Sequence, residues 1–422
     1  MPIWKRVPDS DPDLKSAVES FVAAAVQPAM LDPGEEPLRL VTDQWRLEEW
    51  NGRLILQAWD QQRNLVRKIV GLKERRRDRL CLITERFLKA EAELEIADLA
   101  APTGRDLERR ASRIAFRERF QLMLAREWPE WQIVEISADA NLQASLSASY
   151  TRALLRLGST GMAAMAAPPD ASGCAGIVAF GLIWLDHLRR REKTLSIGHL
   201  LLYVPVGSEH EAAFRVSCLD AAKVSCRLIA YDKRDRAGAI DLADVGNIES
   251  TLPPCGTAHR KRSSINTGPE AWLESLVRRH PAAIDASLCA EPIYGQVPVF
   301  AAGDRGVIDL LGIDHTGRLV IIELKATADL QLPLQALDYW LRVGKHLEAG
   351  DFERLGYFAG HVLSRDPPRI LLVAPALEFH STTETLLDAL APLIEFTRIG
   401  LASDWHTGLR VMFRLQGSEH PT

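Results

Sequence analysis

Residues 306–339 read GVIDLLGIDHTGRLVIIELKATADLQLPLQALDY, and this stretch decides the fold class of the C-terminal half. Side chains alternate across a strand, so Leu319 to Lys325 puts Leu319, Ile321, Glu323 and Lys325 on one face and Val320, Ile322 and Leu324 on the other. Both faces begin apolar, which predicts a central strand. Upstream, Val307 to Ile313 reads as a second apolar strand, and Asp314-His315-Thr316-Gly317 is turn chemistry suited to closing a hairpin between the two. The hairpin brings Asp309 beside the Glu-x-Lys end. After the strand, Pro333 fits the first turn of a helix whose Leu334, Leu337 and Leu341 face a core, while Gln335 and Tyr339 share a different stripe.

A carboxylate and an ammonium at the end of a buried strand are costly unless something compensates them, and a divalent cation or a phosphate does so directly. Asp309 and Glu323 converging on one point suit Mg²⁺ or Mn²⁺, hard ions that bind through one or two carboxylates plus water and substrate phosphate. Such an ion polarises a scissile phosphate, lowers the pKa of a bound water and offsets charge on the leaving oxygen. Lys325 is placed to orient or deprotonate the attacking water or to neutralise the phosphoryl oxygens. Gln335 and Tyr339 could hold a phosphate or water beside the metal. A further acid is expected on the helix Pro269 to His280, where Trp272, Leu273, Leu276 and Val277 make the buried stripe. Glu270 is the preferred choice, with Glu274 and Glu291 as competitors. The bland alternative, a half-exposed Glu323–Lys325 ion pair with Asp309 at a strand edge, leaves the apolar flanks unexplained.

The set Glu270, Asp309, Glu323-x-Lys325 and Gln335-x-x-x-Tyr339 resembles the PD-(D/E)xK nuclease superfamily, most closely the C-terminal catalytic domain of NucS-type (EndoMS-like) endonucleases. The residues that carry the resemblance are His280-Pro281, Asp309-Leu310-Leu311, Gly317, Ile321-Ile322-Glu323-Leu324-Lys325, Gln335 and Tyr339, within Glu270 to Val343. The resemblance implies a restriction-endonuclease-like mixed sheet flanked by helices and metal-dependent cleavage of DNA phosphodiesters. Known members of that family prefer single-stranded, branched or mismatched DNA, which makes these candidate substrates in DNA repair or defence, without the mismatch specificity being carried over. Nothing in residues 1–250 resembles that family's N-terminal DNA-binding domain.

The chain has 422 residues, 47% hydrophobic and 25% charged, which suits a soluble α/β protein of two or three domains. A net charge of −5 argues against nonspecific coating of nucleic acid, though a cleft needs only a local basic rim. Candidates for that rim are the run Arg67-Lys68 to Arg79 and the cluster Arg260-Lys261-Arg262, each equally readable as a solvated face. Six scattered cysteines without a Cys-x-x-Cys pair suggest neither zinc nor disulfides and fit a reducing cytoplasm. Met1 to Phe21 is too polar for a secretory signal, and the apolar run Gly173 to Leu185 is too short to span a bilayer and reads as a buried helix.

Four segments are expected: a small mixed or mostly β module over 1–100, an α/β module over 105–250, a linker over 251–268 and the nuclease-like domain over 269–422. In the second, a helix from Arg105 to Glu127 carries Ile114, Phe116, Phe120, Leu122 and Leu124 as core. Its order of long helix, strand, Gly-punctuated apolar pair, helix, strand, helix and strand between Arg105 and Asp232 parallels the order between Glu270 and Gly400. Laying Leu154 to Gly161 on Leu310 to Gly317 puts Ala153 at the Asp309 position, Ala167 at Glu323 and Pro169 at Lys325. The middle segment would then be a degenerate copy without metal ligands, provided the strand orders match. Two other functions stay open: a non-cleaving nucleic-acid-binding protein on a nuclease scaffold, and a ligand-triggered defence nuclease, weakened by the lack of a GxxxxGK[ST] loop. A homodimer would supply the two centres that a double-strand break needs.

Overall fold

The computed structural model describes residues 12–51, 53–86, 89–169, 174, 176–242, 250–255, 268–301 and 304–419. The cluster Arg260 to Arg262 and most of the expected linker lie outside them. The chain divides into two compact units, Met1–Pro129 with Ile136–Ala138, and Glu130–Glu135 with Asp139–Thr422.

The first unit holds α1 (Pro12–Ala24), β1 (Pro28–Leu31), β2 (Leu38–Arg39), β3 (Trp45–Trp50), β4 (Arg53–Trp59), β5 (Asn64–Arg75), β6 (Arg79–Arg86), β7 (Lys89–Asp98) and α2 (Gly104–Glu127). The strands form one antiparallel sheet in the order β2-β1-β7-β6-β5-β4-β3. Alternation aims Leu80, Leu82, Leu94 and Ile96 at Leu14, Val18, Phe21 and Val22 of α1. Leu107 and Ala111 of α2 pack on Ala29, Leu31, Ala97 and Leu99. On α2 Phe116, Phe120 and Leu124 are buried as expected, but Ala115 and Met123 are buried rather than Ile114 and Leu122, and Leu122 is 70% exposed. The arginine-rich run is mostly strand β5. Its charges are largely committed to carboxylates, Arg67 to the buried Asp32 at 2.5 Å, Lys68 to Glu85, Lys73 to Glu93, Arg76 to Glu74 and Arg79 to Glu95. The run thus forms an ion-paired face, in keeping with the solvated-face reading of the sequence.

The second unit contains two sheets. The first is built from β8 (Gln132–Ser137), β9 (Thr151–Leu157), β10 (Thr160–Ala166), α3 (Gly176–Arg191), β11 (Ser196–Pro205), α4 (Glu209–Val216), β12 (Ser225–Tyr231) and β13 (Ala237–Ala239). The second comprises β14 (Ser250–Thr251), α5 (Pro269–Arg279), α6 (Pro281–Ile284), β15 (Tyr294–Ala301), β16 (Asp304–Ile313), β17 (Leu319–Leu324), α7 (Leu332–Glu348), α8 (Asp351–Arg354), β18 (Arg369–Pro375), α9 (Thr383–Asp388), β19 (Phe396–Leu401) and β20 (Val411–Gln416). The orders are β8-β9-β10-β11-β12-β13 and β14-β15-β16-β17-β18-β19-β20. In each, an antiparallel hairpin is followed by two parallel strands and an antiparallel edge. Parallel neighbours need crossovers, and α3 and α4 supply them in the first sheet as α7 and α9 do in the second. Apart from the extra edge strand β14, strand order in the two sheets is the same.

The equivalence extends to register. Ala166 pairs with Tyr203 as Leu324 pairs with Val373, and Pro205 pairs with Tyr231 as Pro375 pairs with Leu401. Counted back from there, Glu323 corresponds to Met165, and Met165 pairs with Arg152 across the hairpin. Lys325 corresponds to Ala167, since Lys325 N–H donates to Val373 O as Ala167 N–H donates to Tyr203 O. The expected alignment on Ala153, Ala167 and Pro169 is thus displaced. It matched Gly161 to Gly317, but Gly161 lies within β10, and the glycine that bends the first hairpin is Gly158, at φ +61°.

One core joins the two sheets' helices, with Ile177, Leu182 and Leu185 of α3, Ala212 and Val216 of α4, Leu334 and Leu337 of α7, and Leu386 and Leu387 of α9. Just after α4 and α9, Leu219 and Leu390 form an antiparallel bridge. Asp220 N–H donates to Ala389 O and Ala391 N–H to Cys218 O, both at 2.9 Å, so matching segments exchange reciprocal bonds. Arg215 and Asp338 add a bidentate ion pair at 3.0 and 2.7 Å. Among the described residues no helix is long and apolar enough to cross a membrane, and none of the six cysteines is in a disulfide.

Candidate metal centre

The hairpin β16–β17 is held from its turn outward. Asp314 Oδ1 accepts from Thr316 N–H, Thr316 Oγ1 and Arg318 N–H at 2.9, 2.6 and 3.1 Å, which fixes the bend. Gly317 takes φ +85°, and a Cβ there would lie 2.1 Å from the Val362 carbonyl oxygen, so glycine is required on both counts. The register then runs Ile313 to Leu319 and Leu310 to Ile322, which sets Asp309 against Glu323.

The two acids meet through the backbone. Asp309 N–H donates to Glu323 Oε1 at 3.3 Å, and Leu324 N–H donates to Asp309 Oδ2 at 2.9 Å. Glu323 is 0% exposed, and its Oε2 is a buried oxygen with no hydrogen-bond partner. Burial, and then the nearby charge of Asp309, hold the Glu323 carboxyl well above the ordinary carboxylate range. Burial also raises Asp309; the Leu324 N–H and Lys325 oppose the rise, and Glu270 adds to it. A shielded pair of acids, with Asp309 disfavouring the charge of Glu323 and one oxygen left unsatisfied, fits a divalent cation.

Lys325 follows the strand, mostly buried, with Nζ 3.7 Å from Asp329 Oδ2 and 3.9 Å from Glu270 Oε1. Of the three competing acids, Glu270 is the one beside Lys325. Glu274 accepts from Gln296 Nε2 at 2.8 Å, and Glu291 is exposed before Pro292. Glu270 itself is half exposed. Among the described residues no group of three or more His, Cys, Asp or Glu side chains has the geometry to hold a metal ion, so the Asp309–Glu323 pair stands as a set of two carboxylates. Asp329 was missed in the sequence; its only signal was a carboxylate four positions after Lys325, just past the strand end.

On α7, Tyr339 OH accepts from Val307 N–H at 3.3 Å and from Gln335 Nε2 at 3.2 Å. Burial, and then Glu323, push the phenol up to about 12, which keeps it protonated at neutral pH. The Gln335–Tyr339 pair thus ties α7 to β16 beside Glu323. On the opposite side of the sheet, α5 buries Leu273 and Val277 against Leu310, Val320 and Ile322. Trp272, expected in that stripe, is instead 50% exposed, with its indole N–H on His406 O at 3.3 Å and Arg279 over its ring.

No family model matches the chain. Over 74 residues, 17% of its length, it is 34% identical to Endonuclease NucS of Pyrococcus abyssi (strain GE5 / Orsay). That match spans 27% of the relative, so the chain covers about a quarter of the curated protein it resembles. It is also similar to the crystal structure of a repair endonuclease from Pyrococcus abyssi, at 24% identity over 32% of this chain and 48% of that chain, with a TM-score of 0.22. Part of the chain is therefore similar in sequence to a nuclease.

Proposed function

We propose that the C-terminal half is a Mg²⁺- or Mn²⁺-dependent endodeoxyribonuclease of the PD-(D/E)xK type. The observation that carries the reading is the buried Glu323 oxygen without a partner beside Asp309. A fully buried carboxylate in that state weakens the fold, and a site for a cation is the chemical reason to keep it. The partial similarity to an endonuclease adds weight.

Asp309 and Glu323 would hold the ion, with Glu270 as a candidate for further support. When bound, the cation supplies polarisation of the scissile phosphate and a water of lowered pKa. The Leu324 N–H fixes the direction of Asp309. Lys325, restrained between Glu270 and Asp329, holds the attacking water or neutralises charge on the phosphoryl oxygens. Gln335 and Tyr339 position that end of the pocket as neutral hydrogen-bonding groups, and the apolar walls of β16 and β17 exclude bulk water. In the reaction, water oxygen bonds to phosphorus as the bond to the sugar oxygen breaks, and that oxygen takes up a proton.

The test is cleavage of a panel of single-stranded, branched, mismatched and plain duplex DNA with Mg²⁺ or Mn²⁺. Asp309→Ala and Lys325→Ala should each lose cleavage by about 10²-fold or more, with circular dichroism unchanged. Undiminished cutting by both folded variants refutes the assignment. Binding of the panel by wild type without any cutting favours a non-cleaving scaffold.

A further inference from the structure

Two nuclease-like sheets share one core in the second unit, yet their corresponding pockets have opposite chemistry. Where Glu323 stands in one, Met165 stands in the other; where Asp309 stands, Arg152 does. The Arg152 guanidinium is buried, donates from Nη1 to Asp139 O at 2.6 Å and lies over the Trp184 ring at 5.5 Å. Trp184 is itself locked by its indole N–H on Ala153 O at 3.0 Å. A fixed cation and a large ring thus fill the place of the paired acids, and the crossover helix α3 carries no Gln-x-x-x-Tyr pair. A buried guanidinium at that position repels a divalent ion.

The two copies are also arranged as partners. Reciprocal bonds around Leu219 and Leu390 join matching segments of each copy, as a two-fold axis would. A second catalytic domain, which a separate subunit would contribute in a symmetric enzyme, is replaced here by a silent copy in the same chain.

We infer that the chain is an intramolecular pseudo-dimer with one cutting centre, and that it breaks one strand of duplex DNA per encounter. This inference rests on the proposed nuclease activity and specifies its outcome. The phosphodiester step is the hydrolysis already described, occurring once, on the strand that reaches Asp309 and Glu323.

The experiment is single-turnover cleavage of supercoiled plasmid by the full chain with Mn²⁺, together with light scattering of the same protein with DNA and Ca²⁺. Open circles should accumulate before any linear form, and the scattering mass should correspond to one chain per DNA. Arg152→Gln, in the silent copy, should still nick, whereas Asp309→Asn should yield no product. Linear DNA appearing without a nicked intermediate, or two chains per cut site, overturns the inference and leaves the nuclease reading intact. Absence of cleavage with any divalent metal removes both.

Discussion

Glu323 is where chemistry and stability pull apart. Its folded-state pKa lies above the unfolded value, so the folded protein holds its proton longer, and stability falls as pH rises from the ordinary glutamate range through the raised value. Asp309 acts in the same direction. In chelator at neutral pH, Glu323→Gln should therefore stabilise the protein by about 1–2 kcal/mol and flatten the dependence of Tm on pH, while cleavage is lost. A lower Tm for this variant in thermal denaturation would show that the carboxylate is satisfied without an ion. Conversely, Mn²⁺ at a hundred times its Kd should stabilise wild type by about 2.7 kcal/mol and leave Asp309→Asn unmoved.

At the level of the element, the hairpin depends on its turn. Gly317→Val places a β-branched residue at φ +85° and drives a Cβ into the Val362 carbonyl. The expected loss is about 3 kcal/mol or more, read as a fall in the urea midpoint and accompanied by loss of cleavage, since the same turn sets Asp309 against Glu323. This hairpin, its central strand and α7 were legible in the sequence because local signals agreed there: alternation, an Asp-x-x-Gly turn and proline at the start of a helix. Leu122 and Trp272 were misplaced because an apolar side chain on an amphipathic helix says little about which neighbour covers it. Strands β15 and β20 escaped notice although each pairs antiparallel with its neighbour along the chain, β16 and β19, and the repeat register slipped on one glycine that sits in a strand. Cross-strand pairing of the basic run was equally out of reach, because Glu85, Glu93 and Glu95, which answer it, lie on other strands.

At the level of the second unit, the two copies are bound by a core and by a few polar contacts. Arg215 is 5% exposed, and Asp338 accepts two of its hydrogen bonds. Removing one partner leaves a buried charge, so Asp338→Ala should destabilise by about 3 kcal/mol, with less additional loss when Arg215→Met is combined with it; strictly additive effects in calorimetry would show that the pair is not coupled.

The strip around Leu219 and Leu390 has a consequence for behaviour at low concentration. Partners that are separate polypeptides drift apart on dilution, and an enzyme built from them loses specific activity as it is thinned. Here the matching segments belong to one covalent chain, so each always finds the other at a high effective concentration. Turnover per molecule should stay level across a dilution series, down to the lowest concentration at which product is detected.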